Sequence, residues 1–227
     1  MNTLMFFRPG RIGNLLLGLA LLGGCSSLLP ESPPPVKLYS LDSRLPGQSP
    51  KSQLVPASAP SLLVSPTRSA SGLDSQRIIY LRQAHSFEYF ANSEWADLPA
   101  LMLTPLIVAA LEHGVAFHAV VATSNSATGN LRLDTELLRL QHDFTTQPSQ
   151  VRVTLRAYLV DNTTRQVLAW QEFDATVVAG SEDAYGGVVA ANSAVQRVLE
   201  DLAGFCADAA SQWQSRHSLV PAERRSR

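Results

Sequence analysis

Five histidines, two cysteines and a close pair of carboxylates, Asp134 and Glu136, are residues of this 227-residue chain whose types and spacing could do chemistry. The histidines His85, His113, His118, His142 and His217 show no metal-ligand spacing, such as two histidines four apart on one helix beside a glutamate. His113 and His118 straddle a predicted helix stop. The chain has no Gly-x-Ser-x-Gly elbow, no phosphate-cradling glycine loop and no zinc-type cysteine pair, so nucleophilic and nucleotide chemistry lack their usual parts. Asp134 and Glu136 lie two apart in an alternating segment and share one strand face. Such a pair can exchange protons, but on a solvated face it reads as surface charge.

Cys25 is different, because the residues before it set up a covalent modification. Arg8 and Arg11 form a positive start without acids, residues 15–22 form an apolar run, and Leu22, Gly23 and Gly24 lead into Cys25. The run is shorter than the roughly 20 residues that span a bilayer, which favours a cleaved leader. A small residue before an obligatory cysteine is the bacterial lipobox: the thiol takes a diacylglyceryl group and a peptidase cuts just before it. An ordinary secretory leader that happens to contain a cysteine is the competing reading. Each buried acyl methylene contributes roughly 0.8 kcal/mol, so several chains anchor firmly. Ser26, where an aspartate would signal inner-membrane retention, points to the outer membrane, periplasmic face. Cys206 is far away in a predicted helix and reads as a small buried hydrophobe, leaving no disulfide framework.

The elements that would position these residues follow from composition and periodicity. Loss of Arg8 and Arg11 takes the formal charge from −1 to −3, which excludes a basic nucleic-acid-binding face. With 45% hydrophobic and 16% charged residues there is material for one core. Residues 26–35, rich in Ser and Pro, form an extended tether that lifts the domain from the membrane, and residues 46–60 form a long loop. Strands are expected at 36–41, 61–65, 77–82, 86–90 and 115–121, the third and fourth forming a hairpin. Leu98, Leu101, Met102, Leu106 and Ala109 mark a helix capped by Asp97 and stopped by Gly114. Pro105 inside it requires either a kink or a later start at Thr104.

Leu131, Leu133, Thr135, Leu137 and Arg139 predict the face of one long strand, and Val151, Val153, Leu155, Ala157 and Leu159 that of the next. Residues 166–178 complete a meander after a turn at 161–165. Ser181 is the expected cap of a last helix whose stripe runs from Val188 through Ala191, Val195, Val198, Leu202, Phe205 and Ala209 to Trp213. The fold class is α+β: a single domain with a mostly antiparallel mixed sheet and two helices packed on one face. The expected organisation is a leader over 1–24, lipidated cysteine and tether over 25–35, the domain over 36–213 and a polar Arg-rich tail over 214–227.

In order along the chain, the lipobox, the strand Leu38-Tyr39-Ser40-Leu41, the run from Ser65 to Tyr80, the segment Phe87-Glu88-Tyr89-Phe90-Ala91-Asn92-Ser93-Glu94-Trp95-Ala96-Asp97, the stretch Asp134-Thr135-Glu136-Leu137 and the closing helix resemble the ABC-type transport auxiliary lipoproteins (PqiC/YmbA-like). The resemblance covers nearly the whole mature chain, with Pro105 as a departure. It implies a non-enzymatic role without cofactor or metal. The implied setting is a lipid-trafficking ABC system, with an MCE-domain substrate-binding protein and an ABC permease and ATPase as partners. The cargo it implies is phospholipid or another hydrophobic molecule. A homo-oligomer would match a symmetric partner. Tyr89, Phe90 and Trp95, just before the first helix, are candidate contacts for a partner or lipid, although Trp95 also suits pinning that helix to the sheet. Tyr89 and Phe90 point to opposite faces of a strand, so one of them turns inward. Arg68 and Asp74, beside Gly72, are a candidate polar contact. A structural lipoprotein that assembles other envelope machinery and an unrecognised periplasmic hydrolase are the alternatives.

Overall fold

The computed structural model describes residues 34–42, 55–56, 58–123 and 128–218. The lipobox at residues 22–25, the leader before it and most of the tether lie outside them, as does most of the tail. Val36–Arg227 form one compact unit. Its described elements are β1 (Lys37–Tyr39), β2 (Ser61–Val64), β3 (Arg68–Ser69), β4 (Arg77–Leu81), β5 (Glu88–Trp95), α1 (Pro99–Glu112), β6 (Ala119–Ala122), β7 (Leu131–Asp143), β8 (Gln150–Asp161), β9 (Val167–Val178) and α2 (Ala184–Ser218). This is the expected α+β domain, with two helices on a large open mixed sheet.

Strand β7 is the axis. Along one edge it pairs antiparallel with β8, which pairs antiparallel with β9. Its other edge is shared end to end by three short parallel strands: Leu62 of β2 sits opposite Leu131, Arg68 of β3 opposite Glu136, and Tyr80 of β4 opposite His142. Beyond them β6 extends β2 in parallel, β5 forms the expected antiparallel hairpin with β4, and β1 adds in parallel to β5.

The meander follows the alternation of the sequence. Val151, Val153, Leu155, Ala157 and Leu159 all face the core and are buried. On β7 the register slips between Leu137 and Arg139, so Leu138 is an extra residue. That bulge corrects the expected face: after Leu137 the core side passes to Leu140 and His142, and Arg139 turns to the outer face, where it meets Asp174 at 3.6 Å. The rest of that face carries paired charges and the stacked Tyr158 and Trp170 rings. Arg156 lies between Glu136 and Glu172, and Arg132 holds Asp134 through two parallel bonds of about 3.1 Å. Asp134 and Glu136 are thus held as ion-pair partners.

Helix α1 corrects the expectation in two ways. It begins with Pro99 at the first turn and runs on through Pro105, with Leu98 at the cap position and no side-chain capping bond. Asp97 Oδ1 accepts only from the adjacent Leu98 N–H. Its buried side is Ala100, Leu103, Ile107 and Leu111, while Leu101 is exposed. Helix α2 uses the expected stripe. Val188, Ala191, Val195, Val198 and Leu202 are buried over β7, β8 and β9, each large apolar side chain contributing about 1.5–3 kcal/mol. Cys206 is fully buried on the same side, and burial pushes its thiol up to about 12. The cap of α2 is Asp183, whose Oδ1 accepts from Gly186 N–H at 2.8 Å. Ser181, the expected cap, donates instead to that carboxylate. The helix continues past Trp213 to Ser218.

Candidate partner-binding site

The hairpin β4–β5 carries the candidate site because of an irregularity in its pairing. Arg77 is opposite Glu94, yet Ile79 is opposite Tyr89, so β5 holds extra residues around Phe90. The strand bends there and re-aims its aromatics. Phe90 turns inward against the core, and Tyr89 stays 39% exposed, as the alternation requires of neighbours. Trp95, at the end of β5, is only 3% exposed and belongs to the core. It sits with Ile79, Leu140, Gly187 and Ala191 beneath α2 and offers no surface to a partner.

Around Phe90 the fold gathers an aromatic cluster from three strands. Its ring lies 4.6 Å from Tyr80 of β4 and 6.4 Å from Phe144 beyond β7, and Tyr80 meets Phe144 edge-on at 5.7 Å. Two arginines cover the outside, Arg77 over Tyr89 at 5.1 Å and Arg82 over Tyr80 at 5.2 Å. Tyr80 donates a 2.8 Å hydrogen bond to Glu88, which raises the tyrosine pKa and fixes the ring. Phe87, 56% exposed, extends the patch along the turn. Tyr80, Arg77 and Arg82 come to Tyr89 and Phe90 through the β4–β5 hairpin, and only the parallel pairing of β4 with β7 adds Phe144, so the sequence alone does not show the cluster.

Beneath the cluster lies, among the described residues, a serine–histidine pair that bears on hydrolysis. His142 Nε2 and Ser149 Oγ are 2.8 Å apart, as a base and a nucleophile would be. Both are closed to solvent, however, with Ser149 at 0% exposure, and His142 Nδ1 is a buried atom without a hydrogen-bond partner. No carboxylate orients the imidazole, and Gly187 of α2 packs against its Nδ1 edge. Burial lowers the His142 pKa, with Glu182, Asp183 and Asp143 pulling weakly the other way. Glu182 accepts from the Ser149 backbone N–H and is held below its ordinary pKa by that bond. The pair is a structural brace of the core.

Arg68 and Asp74 are both exposed, with buried Leu73 anchoring the loop after β3 and Gly72 supplying a φ of +88°. No ion pair joins them. Along β7, β3 and the aromatic cluster are six residue positions apart, roughly 20 Å, so the fold does not bring these candidates into the Tyr89 site. Of the histidines, His85 sits in the β4–β5 turn, His113 and His118 flank the α1–β6 connection, and His217 lies in the last turn of α2. Among the described residues no group of His, Cys, Asp and Glu could hold a metal ion, and no helix is long and apolar enough to cross a membrane.

A family model described as "ABC-type transport auxiliary lipoprotein component" matches residues 39–203. No curated protein matches the chain. Among solved structures, a protein from Xanthomonas campestris superposes with a TM-score of 0.67 at 22% identity, covering 79% of this chain and 99% of that one. An uncharacterized protein superposes at 0.60 with 13% identity, covering 76% and 99%. Both share the fold.

Proposed function

The chain belongs to the family of ABC-type transport auxiliary lipoprotein components, and we propose that it is the non-catalytic, lipid-anchored accessory of an MCE-type system that moves phospholipid across the periplasm. Acyl chains on Cys25, after the lipobox residues Leu22, Gly23 and Gly24, hold it at the periplasmic face of the outer membrane. Its partners are an MCE-domain substrate-binding protein and, through it, the permease and ATPase of the same system. It meets that symmetric partner as a homo-oligomer.

The observation that carries this reading is the aromatic and arginine patch on β4–β5 in a chain whose Ser149–His142 pair is sealed in the core. Tyrosine and arginine dominate binding energy at interfaces, because they pair large apolar area with fixed polar groups. Tyr89 is the contact of this patch, Phe90 its support, and Arg68 and Asp74 form a separate polar rim. Affinity purification of the lipidated protein from detergent-solubilised envelope, beside Cys25→Ala, tests the reading. Recovery of an MCE-domain partner, reduced when Cys25 is lost, is expected. Recovery of other envelope machinery alone would favour an assembly lipoprotein.

A further inference from the structure

A second apolar surface lies at the opposite edge of the hairpin, around β1. Among the described residues strand β1 has a single neighbour, β5, and no described strand pairs with its outer edge. Val36 and Leu38 project from one face, 48% and 65% exposed. On the other face Tyr39 meets Tyr185 of α2, ring centres 6.4 Å apart, and one helical turn on is Val189. Tyr185 and Val189 are 62% and 47% exposed. Asn192 ties the same stretch of helix to the end of β1, accepting from Asp42 N–H and donating to Ser40 O at 3.2 Å. The four exposed apolar side chains therefore ride on two segments that are fastened together, unlike singly scattered surface residues.

We infer that this β1–α2 edge rests on the lipid leaflet that holds the anchor, with Val36, Leu38, Tyr185 and Val189 entering the headgroup region. The inference rests on acylation of Cys25 as read above. Eleven residue-to-residue steps lead from Cys25 to Val36, so even a fully stretched tether keeps the start of β1 within about 40 Å of the acyl chains. Of the whole fold, this edge has the shortest chain path to the bilayer. Its chemistry suits an interface: tyrosines place a ring in the apolar layer and a hydroxyl in water, and aliphatic side chains supply the burial. The neighbouring charges include Lys37, Arg77, Asp42, Glu94 and Asp183, with Lys37 adding to the hydrogen bonds from Ser181 and Gly186 that lower the Asp183 carboxyl. Two cations against three anions give no net attraction for acidic lipid, so the contact is apolar and insensitive to salt.

The test uses the lipidated full-length mature protein in phosphatidylethanolamine and phosphatidylcholine vesicles, with an environment-sensitive fluorophore on Leu38→Cys, on Tyr185→Cys or, as a control, on Trp170→Cys in β9. Cys25 is blocked by acylation and Cys206 is fully buried, so the introduced thiol alone is labelled. Labels at 38 and 185 are expected to shift to the blue and to be quenched by brominated acyl chains, unchanged at high salt, while the label at 170 stays aqueous. Floating vesicles that carry the protein with aqueous labels at 38 and 185 would overturn the inference and leave the anchor standing. Failure of the protein to float would overturn both.

Discussion

Trp213 Nε1 donates a 2.8 Å hydrogen bond to Asp161 Oδ2, fastening the last turns of α2 to the end of β8. The carboxylate is buried and also accepts from the backbone N–H groups of Thr163 and Thr164, which shape the turn into β9. Trp213→Phe keeps an aromatic ring, loses the donor and gives up part of the indole's packed area. It is expected to destabilise the domain by about 1.5–3 kcal/mol, because the acceptor is charged and closed to water. Urea unfolding at neutral pH measures this.

The same carboxylate gives an acid-limb prediction. Burial alone would push Asp161 up, but the bonds from Trp213, Thr164 and Thr163 outweigh it and leave the folded pKa below the ordinary 3.8. A depressed folded pKa makes its contribution complete above 3.8, and that contribution falls away as pH drops through the folded value. Asp161→Asn should therefore be less stable than the parent at pH 7, with the gap narrowing below pH 3.8 in parallel urea titrations.

His142 titrates in a different window. Its folded pKa lies below 6.5, so under more acidic conditions the unfolded chain takes up a proton that the folded chain refuses, and stability declines from 6.5 down to the folded value. His142→Gln is expected to flatten this stretch of the stability–pH curve. A variant curve with the parent's slope just below pH 6.5 would contradict the assignment.

Gly187 lets α2 approach that imidazole, since a Cβ there would collide with His142 Nδ1. Gly187→Ala should cost about 1–3 kcal/mol through overpacking, despite the better helix propensity of alanine. Thermal melts of Gly187→Ala and of Gly204→Ala, where a Cβ meets open space, separate the two effects.

The bulge on β7 makes a sharp contrast between neighbours. Leu140→Ala should lose about 2–5 kcal/mol as a core truncation, and Arg139→Ala less than about 1 kcal/mol as an exposed ion pair. A strict continuation of the alternation from Leu131 would reverse that order. Denaturant midpoints of the two variants decide it.

Where side chains alternate in and out of one core, the sequence was readable. The faces of β8 and α2, the β4–β5 hairpin, the burial of Cys206 and the α+β class all follow from local periodicity. The face of α1 was not, because Pro99–Glu112 is apolar nearly all round and its period selects no side. Ser181 and Asp183 are both good caps, and only the start of α2 at Ala184 chooses Asp183. The three short parallel strands along β7, and with them the cluster of Tyr80, Phe90 and Phe144, depend on pairings between distant segments that leave no local pattern.

We propose that the patch on β4–β5 docks a component of an ABC lipid-transport system. A photo-crosslinking residue at Tyr89 in intact cells, with the same residue at Trp170 as control, tests it most directly. A covalent adduct is expected between position 89 and an MCE-domain protein, lost when Arg77 and Arg82 are changed to glutamate and absent from position 170. Adducts from position 89 only to proteins outside any transporter, in cells that make the full system, would contradict it.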